Sequence, residues 1–168
     1  MGIMKLILIV IFTLSGEWET FTNCDLIHDI KEREGTLYLA TNGGVVLFNP
    51  ISKETQKIYT NIDGLPSVVT KAVNFDSQGN LWVATEGGMV YLLSGEDYFY
   101  IYPRERLPLL EIEDILIHDN NIYIASHSGL ARISTNRTSN PDDDNILIIT
   151  KTTYPALLSD TIYSLFLL

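Results

Sequence analysis

One cysteine in 168 residues, Cys24, leaves no partner for an intrachain disulfide, so the fold must rest on packing and hydrogen bonds alone. Its thiol is expected to act as a small apolar side chain. Basic residues are scarce as well. With 11 Lys and Arg against 21 Asp and Glu the chain carries a formal charge of −10, which repels a phosphate backbone and excludes nucleic acid as a partner class. The three histidines, His28, His118 and His127, lie far apart without metal-ligand spacing, and no zinc site or other cofactor is expected. Nucleophile elbows, phosphate loops and Cys/His pairs are missing too. Beyond the first sixteen residues no stretch keeps a capped 3.6-residue apolar period, which leaves almost no room for helix. No membrane span is expected outside the leader.

The leader itself is short. Lys5 precedes an unbroken apolar run, Leu6 to Leu14, and then Ser15 and Gly16 stand before the acidic Glu17. Nine apolar residues rise only about 14 Å as a helix, against roughly 30 Å of bilayer hydrocarbon. Residues 1–16 therefore read as a secretory signal peptide, and the remainder as a secreted, periplasmic or cell-surface domain. A lipid anchor on Cys24 has little support, because Phe21-Thr22-Asn23 lacks a small residue just before the cysteine.

What the chain does have is an internal repeat. Gly35-Thr36-Leu37-Tyr38-Leu39-Ala40-Thr41-Asn42-Gly43-Gly44 lines up with Gly79-Asn80-Leu81-Trp82-Val83-Ala84-Thr85-Glu86-Gly87-Gly88, and Asn120-Asn121-Ile122-Tyr123-Ile124-Ala125-Ser126-His127-Ser128-Gly129 follows. A self-similar period of forty-odd residues marks a repeat architecture. Each unit holds short runs rich in β-branched and aromatic residues between Gly, Asn, Asp and Pro clusters, which are strands and hairpins. In the second unit strands are expected at 68–75, 80–85, 89–93 and 98–102, with Asp76 closing an Asx-turn at the first hairpin. Runs such as Leu81-Trp82-Val83-Ala84 are apolar at consecutive positions, so both faces of the strand must be covered. Four-stranded units stacked between like neighbours satisfy that demand, and the fold class is all-β, a partial β-propeller.

The run from Gly64-Leu65-Pro66-Ser67 to Val73, then Asp76, Gly79 to Thr85 and Gly87-Gly88, resembles the two-component regulator propeller repeat of bacterial extracytoplasmic proteins. The likeness is strongest in the second unit, good in the first and degraded in the third, where Ser126-His127-Ser128 replaces the Thr-x-Gly pattern. It implies a propeller, often the sensor region ahead of a membrane span and a histidine kinase and sometimes a free-standing surface protein. The expected layout is a lone strand at 17–23, blades near 26–60, 68–102 and 112–150, and the start of a fourth blade at 155–168. Three blades do not close a ring, so the chain reads as a fragment of a longer protein, with oligomerisation as the other route to closure.

Where function could sit follows from the repeat. Equal residues hold the shape of each turn, while Asn42, Glu86 and His127 differ at one equivalent position and are the expected ligand-facing residues. Asp142-Asp143-Asp144-Asn145 lacks the order of a calcium loop and is expected to be a solvated turn. Asn136-Arg137-Thr138 has the pattern of a glycosylation sequon. Trp82, Tyr38 and Tyr123 share one mid-strand site and are expected to pack between blades. A non-catalytic module recognising an extracytoplasmic ligand or protein is the leading expectation. A surface or secretion-apparatus component is the alternative, and a propeller lyase or hydrolase a more distant one.

Overall fold

The computed structural model describes residues 22–135 and 141–167. The leader, most of the expected lone strand at 17–23 and the sequon lie outside the described residues, and Thr22 and Asn23 form no strand. The rest is three four-stranded antiparallel sheets, each built from strands consecutive in the chain. Sheet one holds β1 (Ile27–Arg33), β2 (Thr36–Thr41), β3 (Gly44–Asn49) and β4 (Glu54–Tyr59). Sheet two holds β5 (Thr70–Phe75), β6 (Leu81–Thr85), β7 (Gly88–Leu92) and β8 (Tyr100–Ile101). Sheet three holds β9 (Ile112–His118), β10 (Asn121–Ser126), β11 (Gly129–Ser134) and β12 (Asn145–Ile149). Among the described residues helix is confined to two single 3-10 turns, Asn61–Asp63 and Pro141–Asp143.

The doubly apolar strands find their explanation in the middle sheet. Leu81 and Val83 of β6, with Val90 and Leu92 of β7, join Ala40, Val45 and Tyr59 of sheet one in a single core. Trp82, Ala84, Met89 and Tyr91 point the opposite way and join Ile115, Ile122, Ile124 and Ile133 of sheet three in another. Successive strand residues face opposite sides, so sheet two can be apolar throughout only because a sheet lies on each side. Burying side chains of this size contributes roughly 1.5–3 kcal/mol each. Trp82 is packed as expected, stacked on Tyr91 with ring centres 5.0 Å apart, and its indole N–H donates to Asp76 Oδ2 at 3.0 Å. The same carboxylate closes the expected Asx-turn by accepting the Gln78 N–H at 2.9 Å. Tyr38 meets Phe75 edge-on across the first interface, whereas Tyr123 stays half-buried on the side of sheet three away from sheet two.

The inner strands β1, β5 and β9 lie next to one another, and side chains fasten each sheet to the next. Asp29 Oδ2 accepts the Val73 N–H at 3.0 Å, and Asn74 Nδ2 donates to the Ile115 carbonyl at 3.0 Å. Asp114, in register with Asp29, accepts the Leu165 N–H at 2.7 Å.

Two strand expectations change. The fourth strand of sheet two shrinks from 98–102 to two residues, because Phe99 and Tyr102 turn inward and are buried. The Phe99 N–H goes instead to the Asp63 carbonyl at 2.7 Å. Residues 160–167 form no strand ladder. They run along sheet three, with the Ile162 N–H on the Ser126 carbonyl at 2.9 Å. The acidic turn also differs from a solvated one. Asp142 and Asp143 are exposed, but Asp144 is buried and accepts the Tyr102 hydroxyl at 2.9 Å.

Candidate functional site

The turns that carry Asn42, Glu86 and His127 share one construction. A hydroxyl at the end of the second strand spans the turn: Thr41 donates to the Gly44 carbonyl at 2.7 Å and accepts the Gly43 N–H at 3.0 Å. Thr85 does the same with Gly88 and Gly87, and Ser126 with Gly129 and Ser128. All three hydroxyl residues are buried. The glycine that closes each turn has positive φ, 122° at Gly44, 123° at Gly88 and 134° at Gly129. Substituting Ser for Thr and for the first glycine of the pair therefore leaves the third turn intact, although the sequence pattern looks degraded there.

A second feature recurs beside each turn. The pairing of first and second strands shifts register at one position in every sheet, skipping His28 in β1, Lys71 in β5 and Glu113 in β9. A bulge of this kind re-aims a side chain out of the ladder. Each sheet thus presents two residues at the same end, one from the bulge and one from the turn: His28 with Asn42, Lys71 with Glu86, Glu113 with His127.

In sheets two and three these residues converge. Lys71, Glu86, Glu111, Ile112 and Glu113 line a cavity of about 330 Å³. Lys71 Nζ stands 4.0 Å from Glu86 Oε1 at one side. At the other, His127 Nδ1 meets Glu111 Oε2, and His127 Nε2 lies 3.2 Å from Glu113 Oε1 within ion-pair reach. Nε2 is buried and lacks a well-aligned hydrogen-bond partner. Tyr163 covers the imidazole edge-on, with ring centres 5.4 Å apart. Three carboxylates against one lysine make the cavity electronegative, and field lines focus in such a hollow.

Of the expected ligand-facing residues, Glu86 lines this cavity and His127 reaches it through Glu113, one of its walls. Asn42 does not line it: its Oδ1 accepts the Leu26 N–H at 3.2 Å and its own N–H returns to the Leu26 carbonyl at 3.2 Å, so it clasps the segment leading into β1. Glu111, Glu113 and Lys71 escaped the sequence reading. Their signal was positional, since each sits at or just before the start of a first strand, opposite the variable turn of its own unit. His118 lies at the other end of β9, 3.5 Å from Asp119. Among the described residues no group of three His, Cys, Asp or Glu side chains could hold a metal ion.

Three antiparallel four-stranded sheets, side by side with inner strands adjacent and turn residues gathered at one end, define an arc of a β-propeller. Residues 64–87, in sheet two, match the family model described as two component regulator propeller. Solved structures agree on the fold. The chain is similar to the extracellular domain assigned to the hybrid two component system BT3049 from B. thetaiotaomicron, with TM-score 0.59 and 20% identity over 76% of this chain and 18% of that one. It is similar also to the extracellular domain assigned to the hybrid two component system BT4673 of the same organism, with TM-score 0.58 and 18% identity over 73% of this chain and 18% of that one. The chain thus spans about 18% of the length of these relatives. No curated protein matches it. Among the described residues no helix is long and apolar enough to cross a membrane.

Proposed function

We propose that the chain is part of a non-catalytic recognition module outside the cytoplasm, and that the cavity between sheets two and three takes its ligand. The observation that carries this reading is the convergence of bulge and turn residues from successive sheets, Lys71 with Glu86 and Glu113 with His127, on one hollow at one end of the arc. The turn frame is constant while these side chains vary, which is how a repeat protein separates shape from specificity. The negative excess favours a ligand or protein side chain that brings a positive charge. Likeness to extracellular domains of two component systems supports a sensor region as the larger setting, with the remaining blades supplied by a longer chain.

A direct test is a thermal-shift screen of cationic peptides, amines and sugars against the chain, repeated on Glu86→Gln and Glu113→Gln. The reading requires hits that stabilise the parent chain and lose most of that effect in both variants. Hits indifferent to both substitutions would remove the cavity from consideration. The genomic sequence downstream of the Leu168 codon tests the sensor setting: an in-frame membrane span and kinase support it, and a cell-surface sorting segment favours the surface-protein alternative.

A further inference from the structure

One residue of the hollow between sheets two and three runs against its overall charge. Lys71 stands there among Glu86, Glu111 and Glu113, where a site for positive charge alone would be stronger without it. The backbone sets its position: the bulge of β5 aims Lys71 beside the turn that carries Glu86, and Nζ lies 4.0 Å from Glu86 Oε1. That separation is wide for an ion pair and Glu86 is 57% exposed, so the two charges contribute little to each other and exchange partners readily. The same two positions hold His28 and Asn42 in sheet one, and Glu113 and His127 in sheet three. Sheet two alone sets a lysine beside a carboxylate. Across the hollow, Glu111 has left-handed backbone with φ 51°, held by the His127 N–H, which donates to the Leu110 carbonyl at 3.2 Å and the Glu111 carbonyl at 3.3 Å. Strain of this kind gathers at binding sites. The imidazole sets two nitrogens against the four oxygens of Glu111 and Glu113, so acceptor capacity is left over on this side. Ile112 between them supplies an apolar wall.

A free α-amino acid carries an ammonium and a carboxylate on one carbon, the charge pattern that complements a lysine beside a glutamate. A basic side chain adds a second cation at the far end, and the net positive charge answers the excess of carboxylates in the hollow. We propose that the hollow binds a free basic α-amino acid, its carboxylate on Lys71, its ammonium on Glu86 and its side-chain cation on Glu111 and Glu113. This assignment rests on the reading of the hollow as the ligand site and narrows it to one chemical class. A volume of about 330 Å³ lies at the small end of ligand pockets and suits a molecule of this size. A guanidinium meets a carboxylate with two parallel hydrogen bonds, which makes arginine the sharpest probe.

L-Arginine is titrated into the isotope-labelled chain and followed by amide chemical shifts, beside agmatine, which keeps both cations and lacks the carboxylate. Saturable shifts are expected at Lys71, Glu86, Glu111 and Glu113. Arginine should bind at least about tenfold more tightly than agmatine, as one charged hydrogen-bond partner provides, although attraction to negative charge alone would favour agmatine. Lys71→Met should abolish that preference by weakening arginine and sparing agmatine. L-Citrulline, neutral in its side chain, should bind at least about tenfold more weakly than arginine, because Glu111 and Glu113 then meet no cation. Agmatine binding as tightly as arginine, or a preference that survives in Lys71→Met, overturns the amino-acid assignment and leaves a cation-binding hollow standing. Citrulline binding as tightly as arginine overturns the call for a basic side chain. Silence with both arginine and agmatine removes the assignment together with the cationic reading of the hollow beneath it. Should Lys71→Met fail to fold, the three ligands on the parent chain still decide.

Discussion

The second strands of sheets one and two have nearly the same sequence and quite different surroundings. β6, Leu81-Trp82-Val83-Ala84-Thr85, is buried at every position, while in β2, Thr36-Leu37-Tyr38-Leu39-Ala40-Thr41, only the last two residues are buried. Leu81 is 2% exposed, whereas Leu37, its counterpart in the repeat, is half-buried. Both strands are interior to their own sheets and hydrogen-bonded on both edges. What separates them is that β6 has a sheet on each face and β2 has one. Local sequence thus makes the strand, and the neighbouring repeat makes the core, as one-dimensional stacking predicts.

The sharpest way to break that comparison is to remove the aromatic at the shared mid-strand site. Trp82→Ala should cost about 3–5 kcal/mol, because the indole fills the core between sheets two and three. Tyr123→Ala, at the same repeat position on the outward side of sheet three, should cost clearly less. Urea unfolding of both variants measures the difference, and equal losses would mean that the interface between sheets contributes little.

The turns allow a finer contrast. At Gly44 a Cβ would collide with the Tyr59 carbonyl oxygen, whereas at Gly88 the nearest atom would be 4.0 Å away. Both positions have positive φ and both alanine variants carry backbone strain of about 1–3 kcal/mol. Gly44→Ala should therefore lose more stability than Gly88→Ala, in thermal melts of otherwise identical chains.

A third contrast sets the inter-sheet polar contact at Tyr102 against the exposed phenols. Burial, and then the hydrogen bond to Asp144, raises the Tyr102 pKa above the ordinary value of 10.0. The unfolded chain then ionises first and holds fewer protons, so the stabilisation is complete below about pH 10 and drains away as pH climbs beyond it. Tyr102→Phe should lose about 1–3 kcal/mol at neutral pH, since buried Asp144 loses a donor, and should show a smaller fall above pH 10. Unfolding free energies measured on both sides of pH 10 check the sign.

Much of this architecture was legible because a repeat displays each rule three times. The Thr-x-Gly-Gly run announced a hairpin, Asp76 its Asx-turn, and consecutive apolar residues in β6 a strand covered on both sides. The ends of sheets were harder to read. Tyr98 to Tyr102 has the composition of a five-residue strand, yet Phe99 and Tyr102 gain more by entering the two cores than by extending the ladder. The site was half visible: variation at Asn42, Glu86 and His127 drew attention to the right turns. It could not reveal that Asn42 is occupied by the Leu26 backbone, nor that bulges aim Lys71 and Glu113 beside the turn residues. A bulge is a property of strand pairing, and pairing partners are some fifteen residues apart in sequence.

Amide hydrogen exchange of β6 against β2 tests the stacking directly, because these strands share sequence and ladder position and differ in the sheets that cover them. Exchange in Leu81–Thr85 should be slowest, reaching the global unfolding limit, with Thr36–Leu39 opening at distinctly lower cost. Equal protection in the two strands, or faster exchange in β6, would contradict a middle sheet held between two others.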